Sequence, residues 1–412
     1  MFLLFRRFSL AENGGNIVLQ SIKKQQVFLT LFKLIFKLVG FLPKKRKLFV
    51  FESFHGKQYS DSPRAIYEYM NEHYPDYELL WSVDRRSVEL FETLGVPYIR
   101  RFTLKWFLTK PRAKYWVNNV RLPLWMPRPR NTVYLQTWHG TPLKKLGLDI
   151  EEIHMPGIET EKYRENIISE SANWTYLTSP NNYSSDIFKR AFNFNGEIIE
   201  SGYPRNDVLY NAELSRIEEI KAKLEIPIEK KVILYAPTWR DDDFFEKGQY
   251  KFQFQFDIHK MKERFGDEFV LLTRMHYLVA EEFDFSPYGN FVKDVSTYLD
   301  ISDLYLISDI LITDYSSVFF DYANLQRPII FYMYDLVNYR DHLRGFYFDI
   351  EEDAPGPIVE KEDELYDAID YAAKNGHVSK VAFNAFYNRF CYLEDGDATK
   401  RLVEQILERK MK

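Results

Sequence analysis

Short apolar runs alternate with helical segments along most of this 412-residue chain. The runs are continuously apolar, which is typical of parallel strands that helices cover on both faces. A chain of this length exceeds what one ordinary core accommodates. We therefore predict two α/β domains with mostly parallel sheets, joined by the charged, helix-prone segment 211–231.

The positions of the elements follow from this alternation. The predicted strands are 48–52, 78–83, 114–118, 132–136, 174–178, 197–200, 232–236, 268–273, 290–294, 310–313 and 328–332. The predicted helices are 63–73, 159–170, 183–192, 257–265, 299–307, 317–325, 362–374 and 400–412, and the last of them could pack on either domain.

Side chains that bind phosphate or move protons follow five of the predicted strands. In open parallel sheets, ligands bind beyond the carboxyl ends of the strands, so we expect these side chains to face a crevice. They are His139, Arg205, Thr238, Arg240, Arg274, His276, Asp314, Ser316 and Ser317, with Lys144 or Lys145 nearby. Pro142 suits the first turn of a helix, which places His139 in a strand-to-helix turn.

These residue types indicate an anionic ligand. Guanidinium groups pair bidentately with phosphate oxygens, and histidines titrate near neutrality. Ser316 and Ser317 open a predicted helix, whose amides and dipole favour a phosphate, although a plain serine cap is the alternative. The sequence has no Gly-x-Gly-x-x-Gly fingerprint and no Walker loop, so neither NAD nor ATP is expected. We predict a site for a dianion or a pyrophosphate.

Metal and cysteine chemistry have little support in the sequence. The acidic run 241–243 is a candidate binding site for Mg²⁺ or another divalent cation, with a solvated loop as the alternative interpretation. The single cysteine, Cys391, excludes a disulfide framework and a cysteine-based zinc site, and it suits a reducing compartment. We interpret Cys391 as a packing residue.

Residues 1–45 predict attachment to a membrane surface. Gln26, Thr30, Lys33, Lys37 and Gly40 fall on one stripe of a helix that is otherwise apolar. The run is too short and too charged to span a bilayer. We predict an amphipathic helix that lies in the plane of an anionic cytoplasmic leaflet, or alternatively one that packs on its own domain.

Positive charge is concentrated in two windows. Residues 21–47 contain eight Lys or Arg and residues 96–130 contain nine, with no Asp or Glu in either window. The second window also carries tryptophans, a mixture that can bind single-stranded nucleic acid. Because the first window is nearby, we predict contact with lipid headgroups and a polyanionic acceptor and no nucleic acid; a solvated charged face is the alternative.

Seven ordered motifs resemble the CDP-glycerol:poly(glycerophosphate) glycerophosphotransferase family of teichoic acid synthesis. They are 51–64 (FESFHGKQYSDSPR), 136–145 (QTWHGTPLKK), 201–207 (SGYPRND), 235–240 (YAPTWR), 274–276 (RMH), 313–317 (TDYSS) and 327–332 (RPIIFY). The resemblance implies a GT-B-type fold of two Rossmann-like domains facing a central cleft. It assigns 46–210 to the acceptor and 211–412 to the CDP donor, preceded by the amphipathic segment 1–45.

The resemblance also implies an activity and a set of site residues. The implied enzyme is peripheral to the cytoplasmic face of the membrane. It transfers glycerol phosphate from CDP-glycerol to a lipid-linked or polyol-phosphate acceptor and releases CMP. His139 and His276 match the family's essential histidines, and the turn with Ser316 and Ser317 matches its donor-phosphate site. Our hypothesis for the mechanism is that His139 takes the proton from the acceptor hydroxyl and that His276 stabilises the departing CMP phosphate or protonates it. The expected donor-side residues are Arg205, Thr238, Arg240, Arg274, Asp314, Ser316 and Ser317. The expected acceptor-side residues are Lys57, Gly140, Thr141 and Lys144.

Several alternatives stay open at this level. The first alternative is a transferase that uses CDP-ribitol, and the second is one that uses a nucleotide sugar. The third is a catalytically silent module that binds an anionic polymer at the membrane. Residues 1–45 match none of the motifs, and the long polymerases of the family carry a further N-terminal module. The lack of that module favours a priming or short-chain enzyme. The sequence does not distinguish a wall polymer from a capsule, and it indicates no oligomeric state.

Overall fold

The computed structural model describes residues 14–152, 159–238, 244–246, 249–250, 254–275, 283–336 and 345–408. Side chains are described from residue 27 onward, except at 244–246 and 249–250. The helices are α1 (Gly14–Gly40), α2 (Asp61–His73), α3 (Val88–Thr93), α4 (Leu104–Thr109), α5 (Thr160–Ser171), α6 (Asn182–Ala191), α7 (Asp207–Asn211), α8 (Leu214–Lys223), α9 (Ile258–Phe265), α10 (Ile301–Ile307), α11 (Val318–Tyr322), α12 (Ile350–Asp353), α13 (Glu362–Asn375), α14 (Lys380–Phe390) and α15 (Ala398–Glu408).

The first sheet has seven strands. They are β1 (Lys45–Glu52), β2 (Glu78–Val83), β3 (Tyr98–Arg100), β4 (Ala113–Asn118), β5 (Val133–Gln136), β6 (Tyr176–Ser179) and β7 (Glu197–Glu200). They pair in the order β3-β2-β1-β4-β5-β6-β7, and all pairs are parallel. The direction of strand addition reverses between β1 and β4, which makes this the topological switch point of the sheet.

The second sheet repeats this topology. Its strands are β8 (Lys231–Tyr235), β11 (Phe269–Thr273), β12 (Val292–Asp294), β13 (Ile310–Thr313), β14 (Ile329–Tyr332) and β15 (Ile358–Val359), while β9 (Phe244–Glu246) and β10 (Gln249–Tyr250) form a separate antiparallel pair. The six strands run parallel in the order β12-β11-β8-β13-β14-β15. The switch point of this sheet lies between β8 and β13.

The continuous apolar strands are buried on both faces, as their pattern predicts. In β13, Ile310 and Ile312 pack into one hydrophobic cluster, whereas Leu311 packs into the cluster on the opposite face. In β1, Val50 and Phe51 divide in the same way between two further clusters. Successive side chains of a strand point to opposite faces, so only an unbroken apolar run satisfies both layers. The predicted fold of two parallel α/β sheets is therefore confirmed.

The described elements depart from prediction at the edges and at the end of the chain. Strands β3 and β15 were not predicted, because runs of three and two residues carry no usable periodicity. Helix α15 packs on the first sheet through Leu402, Val403 and Ile406, which share a cluster with Phe49. The chain therefore returns to the first sheet after α14, which packs on the second. The predicted domain boundaries, with 211–412 as one unit, stay a prediction.

Helix α1 packs on the first domain along one face only. Phe36 is fully buried, and its ring lies 5.4 Å from that of Trp106 and 6.0 Å from those of Trp116 and Trp125. On this face, α1 therefore packs on its own domain, which was the alternative to a helix that lies on the membrane. Gly40 lies against Pro129 rather than in water, so the polar stripe is shorter than predicted. Among the described residues, no helix is both long and apolar enough to cross a bilayer.

Candidate active site between the two switch points

The two switch points face each other across the cleft, and at each of them hydrogen bonds join the two loops. In the first sheet, the amide of Phe54, after β1, donates to Oδ1 of Asn119, after β4, at 2.9 Å. In the second sheet, the amide of Thr238, after β8, donates to Oδ1 of Asp314, after β13, at 2.7 Å. Asp314 is buried. Both crevices therefore have fixed loop geometry.

His139 has a defined tautomer. Its Nδ1 lies 2.7 Å from the carbonyl oxygen of Asn119. Because a carbonyl oxygen only accepts, Nδ1 carries the hydrogen and Nε2 of the neutral ring holds the acceptor lone pair. The ring stacks on Trp138 at 4.5 Å and lies 6.0 Å from that of Phe54. The orientation of His139 is thus set from two sides.

The environment keeps His139 neutral. The side chain is accessible to solvent. The protein groups around the ring nevertheless reduce its hydration, and this desolvation lowers the pKa of His139 below its usual 6.5. The hydrogen bond to Asn119 and the charge of Asp61 act in the opposite direction, while Arg205 and Arg121 lower the pKa further. An imidazole that is neutral at pH 7, with Nε2 available, is suited to general-base catalysis.

The loop that carries His139 meets the second domain at Ser317. A Cβ atom added to Gly140 would lie 2.9 Å from Oγ of Ser317. The absence of a side chain at Gly140 thus permits this close approach. Residues far apart in the chain therefore converge at the cleft, as the sequence predicted.

Ser316 and Ser317 are half-buried, and within the described residues neither hydroxyl makes a hydrogen bond. Ser317 precedes α11 without capping it through its side chain, so the plain serine-cap alternative is not observed. The helix itself has only five residues. Both hydroxyls are available to a ligand at the edge of the second switch point.

Arg274 follows β11 on the donor side. Its Nη1 donates to the carbonyls of Val295 and Tyr298 at 3.1 and 2.9 Å, which fixes the loop after β12. Burial lowers the pKa of Arg274, but arginine stays protonated in proteins. Among the described residues, no carboxylate pairs with Arg274. Its positive charge is therefore compatible with a bound anion.

Arg205 occupies a different environment from the one predicted. It is buried between the domains, where it pairs with Asp61 at 3.3 Å and Asp321 at 3.0 Å and lies over the ring of Tyr203. Two carboxylates already use the guanidinium donors, and this geometry favours a structural role over phosphate binding. The local motif gave no sign of this arrangement, because both carboxylates are distant in sequence.

The acceptor-side residues divide into two groups. Thr141 is buried, and Lys144 forms an isolated antiparallel bridge with Phe346 of the second domain. Lys57 is exposed on the loop after β1. The helix predicted after Pro142 is wrong, because the backbone of this segment pairs with the second domain instead, as in the bond from the amide of Lys145 to the carbonyl of Gly345 at 2.9 Å.

Three predicted features lie outside the described residues: Arg240, His276 and the acidic run 241–243. Within the described residues, no group of three or more His, Cys, Asp or Glu side chains has the arrangement of a metal site.

Sequence reasoning missed two residues of the site, Asn119 and Asp61. The side chain of Asn119 donates to Oδ2 of Asp61 at 2.9 Å, and Asp61 adopts a left-handed conformation with φ of 62°. Asn119 connects His139 to this carboxylate and, through it, to Arg205. One signal was present: Asn119 comes directly after a predicted strand, at the edge where the other candidates were found.

Replacement of Asp61 by Asn should shift the pH dependence of activity. Asn tolerates the left-handed backbone, so the change chiefly removes one charge. Because the Asp61 carboxylate raises the pKa of His139, its loss should lower that pKa further. The acid limb of the kcat/KM profile should then move to lower pH, measured as CMP release. Asp76→Asn, an exposed carboxylate paired with Lys47, should leave the limb in place. An unmoved limb in Asp61→Asn would contradict the assignment.

Two Rossmann-like sheets whose switch points face a common cleft define a GT-B-type fold. The chain belongs to the CDP-glycerol:poly(glycerophosphate) glycerophosphotransferase family, whose sequence pattern matches residues 34–408. The solved structure of the wall teichoic acid polymerase TagF superposes with a TM-score of 0.84 at 41% identity and covers 98% of this chain and 100% of that one.

Two further relatives illustrate the range of names within the family. The teichoic acid poly(glycerol phosphate) polymerase of Bacillus subtilis strain 168 is 53% identical over 92% of this chain, which spans about half (51%) of its length. The teichoic acid glycerol-phosphate transferase of Staphylococcus aureus is 50% identical over 90% of this chain and 96% of its own. Relatives named for ribitol-phosphate polymers match at only 31–32% identity.

Proposed function

We propose that this chain transfers glycerol phosphate from CDP-glycerol to a polyol-phosphate or lipid-linked acceptor, with release of CMP, in the synthesis of a teichoic acid or related wall polymer. The observation that carries the proposal is the approach of the His139 loop to Ser317 across the cleft, in a chain of this family. A base on one wall and hydroxyls on the other are what a hydroxyl attack on a bound pyrophosphate requires.

In the proposed reaction, the acceptor hydroxyl approaches His139 from the first domain. Its oxygen attacks the β-phosphorus of CDP-glycerol while Nε2 of His139 takes the proton. The bond between this phosphorus and the bridging oxygen breaks, and CMP departs with the electron pair. Ser316, Ser317 and Arg274 are proposed to bind the phosphates. Charge stabilisation of this kind contributes most of the catalysis in phosphoryl transfer.

A donor panel tests this function. The purified full chain is incubated with CDP-glycerol, CDP-ribitol or a nucleotide sugar and a synthetic lipid-linked acceptor. The released nucleotide is measured by chromatography and the product by mass spectrometry. We expect CMP and a mass increase of one or more glycerol phosphate units with CDP-glycerol only. Turnover confined to CDP-ribitol or to the sugar would contradict the donor assignment. Lack of turnover with every donor would favour the silent polymer-binding module.

The number of units added is a second outcome of this assay. Relatives named as polymerase and as transferase match this chain almost equally, at 53% and 50% identity. The expectation of a priming or short-chain enzyme stays a prediction. A single added unit at high donor excess would support it, whereas a ladder of products would identify a polymerase.

We infer that the enzyme reaches its acceptor at an anionic membrane surface through α1. The face of α1 opposite its packed side exposes Val27, Leu31, Leu34 and Leu38, and Phe41 directly after the helix extends it, with exposed fractions between 46% and 78%. The polar stripe with Lys33 and Lys37 runs beside this face and is also exposed. An apolar face flanked by lysines suits a helix that lies in the interface and contacts anionic headgroups.

Removal of two leucines from this face should weaken membrane binding. In Leu34→Gln/Leu38→Gln, the loss of partial burial in lipid costs about 1 kcal/mol for each side chain, so binding should fall about tenfold or more. The measurement is cosedimentation with phosphatidylglycerol vesicles. Leu214→Gln/Ile228→Gln removes side chains of the second domain that are at least as exposed (78% and 59%) and should bind like the unaltered chain. Equal binding of both double variants would contradict the inference.

A further inference from the structure

The loop after β1 holds an unusual backbone conformation at the first switch point. Phe54, His55 and Gly56 have φ values of 44°, 62° and 78°, three consecutive residues in the left-handed region. For Phe and His this conformation is unfavourable, and it persists only where the surroundings determine it. Such strain is concentrated at functional sites.

Hydrogen bonds from two neighbouring segments, the loops after β2 and β4, fix this turn. The amide of Phe54 donates to Asn119 at 2.9 Å, and the carbonyl of Gly56 accepts from the amide of Asp84 at 2.8 Å. The carbonyl of Lys57 accepts from Oγ of Ser87 at 2.9 Å. A Cβ atom at Gly56 would lie 2.4 Å from the carbonyl oxygen of Ser82, so the turn is also sterically confined. The side chains of His55 and Lys57 are therefore presented from a rigid support, and both are exposed.

Positive charge lies beneath the turn. Glu52 is fully buried and pairs with Lys110 at 2.8 Å and Arg101 at 3.4 Å, a group with one negative and two positive charges. Arg101 also donates to the carbonyl of His55. Burial lowers the pKa of His55, Glu52 opposes this, and Arg101, Lys57 and Lys110 lower the pKa further. The excess of cations disfavours a proton on His55 and favours an anion beside it.

The carboxylate of Asp84, whose amide donates to Gly56, does not neutralise this charge. Asp84 is paired with Arg86 at 2.8 Å. In the part of the chain that the structure describes, Lys57 has no ion pair with any carboxylate. The turn therefore combines a neutral imidazole and an ammonium group, both solvent-accessible, with a net positive support.

The turn and His139 share one anchor. Asn119 accepts from the amide of Phe54 through its side chain and from Nδ1 of His139 through its carbonyl. The ring of Phe54 also lies 6.0 Å from that of His139, so the turn and the proposed base are neighbours in the cleft. In a glycerol phosphate chain, the phosphate nearest to the terminal hydroxyl is one glycerol unit away.

We propose that the Phe54–Lys57 turn is the binding site for the acceptor phosphate nearest to the attacking hydroxyl, with His55 and Lys57 as its donors. This inference rests on the proposed function. It assigns a phosphate to the switch point of the first sheet and the donor pyrophosphate to that of the second. The acceptor is then recognised as a phosphodiester polyanion rather than as a bare alcohol.

The test compares His55→Asn/Lys57→Gln with unaltered protein. Asn suits the left-handed backbone at 55, so the turn is expected to persist. Loss of two charge-assisted hydrogen bonds should lower kcat/KM for a synthetic lipid-linked glycerol phosphate acceptor about 10- to 100-fold, through KM for the acceptor. The KM for CDP-glycerol should not change. The matched control His73→Asn/Lys189→Gln alters an exposed histidine and lysine elsewhere on the first domain and should leave both KM values unchanged.

A binding measurement separates this inference from the proposed function. Soluble tri(glycerol phosphate) is titrated into each protein by calorimetry without any donor. The unaltered chain should bind it, and the double variant should bind about tenfold or more weakly. Equal binding by both proteins, or none by either, would overturn the turn as the acceptor site, whatever the donor assay shows. Absence of CMP release by the unaltered chain would instead count against the proposed function. A loss of binding to phosphatidylglycerol vesicles in the double variant, with trimer binding intact, would assign the turn to lipid headgroups and overturn the inference.

Discussion

His139→Asn should lower kcat about 10²- to 10⁴-fold, the usual contribution of a well-placed general base. Asn fits the space of the ring and can still donate to the carbonyl of Asn119, but it has no group that accepts a proton near neutrality. The KM for CDP-glycerol should change little, because the proposed donor site lies on the second domain. Initial rates of CMP release measure the effect.

The pH dependence of the unaltered chain adds a second check on His139. Only the neutral ring accepts a proton, so kcat/KM should fall as the pH falls through the pKa of His139. Because burial lowers that pKa below 6.5, the half-maximal point of the acid limb should lie below pH 6.5. The matched control His73→Asn, at an exposed site on α2, should leave the rate and the profile unchanged. Near-normal turnover by His139→Asn with an unaltered melting temperature would refute the role of His139 as base.

Arg205→Met should destabilise the protein by about 3–5 kcal/mol, which is the usual cost of leaving a buried charge without its partner. Met keeps an aliphatic chain of similar length, so the change chiefly removes the guanidinium, whose Cζ lies 3.9 Å from the centre of the Tyr203 ring. Asp61 and Asp321 would then face each other at 8% exposure without a cation. Thermal denaturation followed by circular dichroism measures the loss as a lower melting temperature.

Two further variants show whether charge pairing causes the effect. Arg86→Met removes an exposed arginine paired with Asp84, and such surface pairs contribute only about 0–1 kcal/mol. Adding Asp61→Asn and Asp321→Asn to Arg205→Met removes the stranded carboxylates, so most of the stability should return. If Arg205→Met melted no lower than Arg86→Met, the bridge between the domains would not be a stabilising element.

The ends of the strands were the best-predicted part of the site. His139, Asp314 and Ser317 lie where strand ends place them, because parallel strands bring their carboxyl ends to one edge. Arg205 was predicted by the same reasoning, and there the geometry favours an ion pair between the domains. Residue type and position after a strand indicate that a group reaches the edge. They do not indicate whether another side chain already binds it.

The sequence by itself determined the two parallel sheets, because unbroken apolar runs are typical of strands that are covered on both faces. It also determined that the candidate residues lie at the carboxyl ends of these strands. The tertiary structure alone decided which side chains face the cleft and which are already paired with another side chain. Arg205 and Asp321 are 116 positions apart, and no local pattern records their pairing. The same holds for the anchor that Asn119 provides to His139 and to the Phe54–Lys57 turn, since hydrogen-bond partners are selected by packing in space rather than by neighbours along the chain.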